Sequence, residues 1–201
     1  MQPFNSLNGI LGMTELLLGT PLNDKQRRFA QAVYRSGESL LEIINDILDF
    51  AKIEAGRLEL ANSDFVLRTL VEDTLELMAP RAHEKGLELS FREQPGLPAV
   101  IHGDPLRLRQ ILTNLVANAI KFTAAGEVVF KVRYAREMAT IEIQDTGPGL
   151  SADEISQIFE PFARGSSSAQ AAPGAGLGLT MAKMLTDLMG GELTVSSTPG
   201  Q

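Results

Sequence analysis

The apolar positions of the first 55 residues recur every three or four places, the spacing of a helix face and not the alternation of a strand. Leu7, Ile10, Leu11, Thr14, Leu17 and Leu18 form one stripe. Phe29, Val33, Leu40, Leu41, Ile44, Ile47, Leu48 and Ala51 form a second, lasting to Gly56. Between them Gly19 suits the left-handed turn that follows a helix. Thr20 then predicts an N-cap, with Pro21 at the first helical position, where its missing N–H costs nothing. The second helix would be roughly 50 Å long. So short a connection makes the two helices antiparallel neighbours, and a lone pair cannot cover its own stripe. Pairing with a second copy in a four-helix bundle covers it, and packing on the rest of the chain is the alternative; the dimer is the favoured arrangement.

From Arg57 onward helical and alternating patterns mix. Strands are predicted at Arg57–Leu60, Leu87–Arg92, Ala99–His102, Glu127–Tyr134, Thr140–Asp145 and Glu192–Ser197. Helices are predicted over 66–84, from the Asp104–Pro105 cap to Phe122, from the Ser151/Glu154 capping box to Phe159, and over 176–189. Gly126 separates the second of these from the strand after it. Residues 163–175, rich in Ser, Ala and Gly, have the composition of a mobile loop. Strands and helices do not keep βαβ rhythm. The expected class is therefore α+β: a helical hairpin over 1–57, a linker over 58–64, and a sandwich over 65–201 whose mixed sheet is covered by helices on one face.

Composition narrows the chemistry. A hydrophobic fraction of 44% in 201 residues supports a folded core. Eighteen basic against 25 acidic residues give a net charge of −7, with no basic patch, which excludes a general nucleic-acid partner. The chain has no cysteine, so thiol catalysis and cysteine zinc sites are excluded. His83 and His102 lack metal-ligand spacing. No apolar run approaches the ~18 residues of a membrane span and no charged-then-apolar leader opens the chain. The chain is expected to be cytoplasmic, or the soluble cytosolic part of something longer.

Four short runs could carry chemistry. Asn114, Asn118 and Lys121 stand at i, i+4 and i+7 and so share one helix face. Helix interiors disfavour Asn. Amide oxygens beside an ammonium fit a magnesium–triphosphate site, and the same pattern also describes a plain polar face. Asp145-Thr-Gly147-Pro-Gly149 follows a strand. Its glycines let backbone approach a flat ligand, and its carboxylate can accept from the exocyclic amine of a base; an ordinary turn has the same letters. Gly174-Ala-Gly176-Leu177-Gly178 opens a helix, where exposed N–H groups and the dipole favour phosphate, or it is a hinge. Phe159 and Phe162 flank Pro161, an arrangement that more often pins a loop to the core than touches a ligand.

Taken in order, these runs resemble the N box (Asn114–Thr123), first glycine box (Asp145–Gly149), phenylalanine box (Phe159–Phe162) and second glycine box (Gly174–Leu179) of the sensor histidine kinases. The stretch from Ile44 to Arg57 resembles the end of the second dimerisation helix of hybrid kinases. The resemblance implies a Bergerat-type sandwich of the histidine kinase, gyrase and Hsp90-like ATPase type. It implies a kinase that binds ATP with Mg²⁺ and passes the γ-phosphoryl to a histidine for relay to a receiver-domain aspartate. It further implies that Asn118 holds Mg²⁺ with Asn114 close by, Lys121 meets the phosphates, and Asp145 reads the adenine amine. Gly147 and Gly149 would pass close to the base. Gly174, Gly176, Leu177 and Gly178 would shape the phosphate end of a lid over 163–175, and Phe159 and Phe162 would flank that lid. The homodimer would form through residues 4–55.

The departures are as informative. Counting back from Leu7-Asn8-Gly9-Ile10, the acceptor histidine is expected at Met1 and its acidic neighbour at Gln2, so the chain is expected not to phosphorylate itself there; a truncated helix is the favoured explanation. The family usually continues past Gln201 into a final strand. Two other readings compete. A related ATP hydrolase would need a carboxylate where Asn114 stands. A degenerate, non-catalytic dimerising scaffold would have no use for Asn118, Lys121 and Asp145.

Overall fold

The computed structural model describes residues 2–161 and 176–200. They divide into two compact units, Met1–Arg57 and Leu58–Gln201.

The first unit is a helical hairpin of α1 (Gln2–Leu18) and α2 (Asp24–Glu54). Leu11 packs into α2 at Gly37, where a β-carbon would come within 2.7 Å of its Cδ2. Ala30 and Thr14 are buried in the same seam. The opposite side of the apolar stripe is uncovered: Ile10, Leu17, Phe29, Val33, Leu40 and Ile47 are all exposed. The turn differs from the expectation. Thr20 does not cap α2. Its hydroxyl donates back to the Leu17 carbonyl (2.7 Å), and Gly19 has no left-handed φ. Asn23 is the cap, accepting from the Gln26 amide while the Gln26 side chain accepts from the Asn23 amide. That reciprocal pair satisfies two otherwise unpaired donors, more than a lone Thr–Pro start can do.

The second unit opens with β1 (Ser63–Phe65) and α3 (Leu67–Glu84). Then come β2 (Glu88–Glu93), β3 (Ile101–Gly103) and α4 (Pro105–Phe122). The hairpin of β4 (Glu127–Ala135) and β5 (Met138–Asp145) follows, and after it α5 (Ala152–Gln157) and α6 (Gly178–Leu188). β2 runs parallel to β4, β4 is antiparallel to β5, and β1 pairs separately with β3. The order β2-β4-β5 is the expected mixed sheet. Leu67, Leu70, Val71 and Met78 from α3 and Leu112, Val116 and Ile120 from α4 bury one face around Phe130. The other face is mostly polar: Lys131 donates to Glu142 (2.9 Å) and Gln144 (2.8 Å), and Val129 is a buried apolar residue on it. Burial on one side is why β5 alternates, with Ile141 and Ile143 half-buried between exposed neighbours, whereas β4 buries Val128, Val129 and Phe130 in succession.

Two expected strands do not form among the described residues. Arg57–Leu60 pairs with no strand: Leu58 is buried, and the Ala61 amide is taken by the Asp104 carboxylate (2.8 Å). The first strand is β1 instead. Glu192–Ser197 keeps alternating burial but makes no ladder; the Ser197 hydroxyl accepts from the Leu150 amide (2.9 Å). Alternation fixes which side chains are covered, whereas a strand also needs a neighbouring edge. No described helix is long and apolar enough to cross a membrane.

Candidate functional site

α4 is the scaffold of the site. Its start is fixed by Asp104, only 2% exposed, whose Oδ1 accepts from the Arg107 amide (3.0 Å) and whose Oδ2 accepts from Ala61 (2.8 Å). Pro105 takes the first helical position, as expected. Leu112, Val116, Ala119 and Ile120 face the core. The 3.6-residue period therefore turns Asn114, Asn118 and Lys121, all half-buried, to the flank of that buried face.

One end of this row meets α6 and the other meets β5. Asn114 donates through Nδ2 to the Gly178 carbonyl (3.3 Å). Nine residues on, the Thr123 hydroxyl donates to Ala119 (2.7 Å) and stands 3.5 Å from Asp145 Oδ1. Along the helix those two contacts are roughly 13 Å apart. Asn118 and Lys121 lie between them, and the Lys121 ammonium sits 5.0 Å from the centroid of the Phe122 ring.

The Asp145 loop is tightly drawn. Its carboxylate is exposed at the end of β5 and accepts the Gly147 amide (2.8 Å). A β-carbon at Gly147 would stand 2.6 Å from that same oxygen and 3.5 Å from the Phe122 carbonyl. Gly149 has φ +71°, and a β-carbon there would collide with the Thr198 carbonyl oxygen. Gly200 donates to Pro148 (2.9 Å), so the 198–200 segment buttresses the loop from outside. Gly149 is thus required by its left-handed φ and the close approach of backbone, whereas a side chain at Gly147 would displace the Asp145 carboxylate.

Gly176 has φ +72°, and α6 begins at Gly178, two residues later than expected. Leu177, 1% exposed, packs inward as its N-cap residue. Phe159 is half-buried just beyond α5. Phe162, Gly174 and the whole of the 163–175 stretch lie outside the described residues. Sequence reasoning missed three participants: Thr123, the Thr198–Gly200 buttress, and Lys85, whose ammonium caps the end of α4. Only Lys85-Gly86 had a local mark, the cation and glycine that often end a helix.

The donor set suits a metal carried on a phosphate ligand. Asn114 and Asn118 offer neutral amide oxygens, and no described group of three or more His, Asp or Glu residues could hold a metal by itself. An ion there would complete its shell from water and phosphate oxygens, as Mg²⁺ commonly does.

Two family models match the chain. Residues 5–56 match the His Kinase A (phospho-acceptor) domain, and residues 103–201 match the histidine kinase-, DNA gyrase B- and HSP90-like ATPase. The chain belongs to the sensor histidine kinases. It is 48% identical to the sensor protein GacS of Pseudomonas syringae pv. syringae, over 97% of this chain and 22% of GacS. It is 41% identical to the signal transduction histidine-protein kinase BarA of Escherichia coli K12, again over 97% of this chain and 22% of that protein. The chain thus spans about a fifth of the length of these relatives. Among solved structures, full-length ShkA in complex with AMPPNP superposes with a TM-score of 0.82 and 40% identity, over 98% of this chain and 41% of ShkA. The Acinetobacter baumannii histidine kinase AdeS, at 19% identity and a TM-score of 0.70 over 98% of this chain and 90% of AdeS, shares the fold. The first unit is therefore the dimerisation and phosphoacceptor module of a sensor histidine kinase, and α4, the Asp145 loop and α6 belong to its ATPase domain.

Proposed function

We propose that the second unit binds ATP as its magnesium complex and serves as the kinase core of a two-component sensor. In that reading the γ-phosphoryl passes to a histidine and then to a receiver-domain aspartate. The observation that carries it is the half-buried row Asn114–Asn118–Lys121, which runs along α4 from the Gly178 carbonyl to the neighbourhood of Asp145. A nucleoside triphosphate has that polarity: a base at one end and anionic oxygens at the other.

The roles follow from donor chemistry. Asp145, its Oδ1 oriented by Gly147, accepts the exocyclic amine of adenine. Gly147 and Gly149 let the ring lie close to the backbone. Asn118 offers an amide oxygen to Mg²⁺, and Asn114, while donating through Nδ2 to Gly178, can do the same through Oδ1. The bound ion offsets phosphate charge. Lys121 adds a second positive charge there, and catalysis of this kind is positioning plus charge neutralisation. Gly176, Leu177 and Gly178 bring the start of α6 to the phosphate end, and Phe159, Phe162 and Gly174 are assigned to nucleotide binding beside them on their motif positions alone. We assign the homodimer interface to residues 4–55, whose exposed stripe of Ile10, Leu17, Phe29, Val33, Leu40 and Ile47 a second copy would cover. With ATP as its substrate the unit works in the cytoplasm. Neither His83 nor His102 is proposed as the acceptor.

Isothermal titration with ATP, with and without magnesium, tests the reading. Saturable, magnesium-dependent binding is expected, with no acid-labile phosphate left on this chain. Absence of binding would favour a dimerising scaffold, and rapid steady phosphate release would favour a hydrolase.

A further inference from the structure

Lys85 lies outside all four motifs. It closes α3, with Gly86 at φ +68° turning the chain away. From there its ammonium crosses to the far end of α4 and donates to three carbonyls: Ile120 (2.7 Å), Lys121 (2.8 Å) and Thr123 (2.9 Å). These are C-terminal carbonyls that a helix leaves without partners, at the negative end of its dipole. The adjoining backbone strengthens the grip, since Glu88 donates to Gly126 (3.0 Å) just past the same turn.

We propose that Lys85 is a positioning residue for the nucleotide site. The proposal rests on the ATP reading above and deepens it. The turn that Lys85 caps carries the Lys121 side chain and leads into Thr123, 3.5 Å from Asp145 Oδ1. Fixing its carbonyls therefore sets the phosphate-facing cation and the base-facing carboxylate against each other. One nitrogen with three tetrahedrally arranged donors fits three converging carbonyls, whereas the planar fork of arginine does not.

The test compares Lys85→Met, Lys85→Arg and Lys121→Ala in the 201-residue chain, by ATP·Mg²⁺ titration calorimetry and by amide hydrogen exchange without nucleotide. Lys85→Met should weaken ATP by about tenfold, the scale of one lost charge-assisted hydrogen bond. Lys85→Arg should recover only part of that. Because Lys85 acts through Lys121, the loss should shrink in the Lys121→Ala background. A loss of full size there means a merely structural cap and overturns the proposal, as does wild-type affinity in Lys85→Met. Exchange decides the matter independently of ATP: Lys85→Met should expose the amides of residues 119–123 while the rest of α4 stays protected. Unchanged exchange would overturn the positioning role even if the unaltered chain failed to bind ATP, which by itself would refute only the ATP reading.

Discussion

Asp104→Ala is the substitution whose cost can be worked most directly. The carboxylate is 2% exposed and satisfies two backbone donors from different parts of the chain, Arg107 at the start of α4 and Ala61 beyond the helical hairpin. Losing an N-cap costs about 1 kcal/mol. Losing a second bond to a buried charged acceptor, with its donor left unpaired, costs about 2 kcal/mol more. The sum of about 3 kcal/mol should lower the melting temperature of a unit this size by roughly 9 °C. Asp104→Ser separates the two effects, because its shorter side chain can cap Arg107 but not reach Ala61. It should lose about two-thirds of that amount. Thermal unfolding followed by circular dichroism measures both. A Tm for Asp104→Ala within about 2 °C of the unaltered chain would show that the paired contacts do not hold α4 as argued.

Asn118→Asp adds a negative charge where triphosphate is to bind, and Asp145→Asn removes an acceptor for the adenine amine. Each should weaken ATP·Mg²⁺ by about tenfold or more in titration calorimetry, and wild-type affinity in both would refute the site assignment. The β4–β5 turn places Arg136 and Glu137 at φ +52° and +61°, which suits Asn-Gly better. Arg136→Asn with Glu137→Gly should raise the Tm by about 3 °C, and no rise would mean the turn carries no strain. The Glu38 carboxylate, then partial burial and Glu15, hold the Tyr34 phenol above its ordinary value. Its stabilising contribution is therefore present below the ordinary phenol pKa and lost as pH climbs through the raised one. In a Tyr134→Phe background, Glu38→Gln should make Tyr34 ionise at lower pH by ultraviolet absorbance, and an unmoved curve would sink that account.

Helices, turns and short motifs answer to neighbours within a few positions, and those parts of this chain were legible in its letters. The 3.6-residue stripes define the helical hairpin, the Asp104–Pro105 and Ser151–Glu154 caps start α4 and α5, and the order Asn114, Asn118, Lys121, Asp145, Gly147, Gly149 identifies an ATPase domain of the kinase type. Even locally two capping options competed, and the reciprocal Asn23–Gln26 pair prevailed over Thr20–Pro21 because it satisfies more backbone donors. What the letters could not decide were contacts between positions far apart along the chain. Whether Glu192–Ser197 pairs as a strand depends on an edge elsewhere. Whether Asn114 only lines a site or also anchors α6 depends on Gly178, 64 residues away. That Lys85 caps α4 depends on packing that brings residue 85 to residues 120–123. Such contacts form only when burial of the shared core around Phe130 repays the loss of chain entropy, so they belong to the folded unit as a whole and to no short window of sequence.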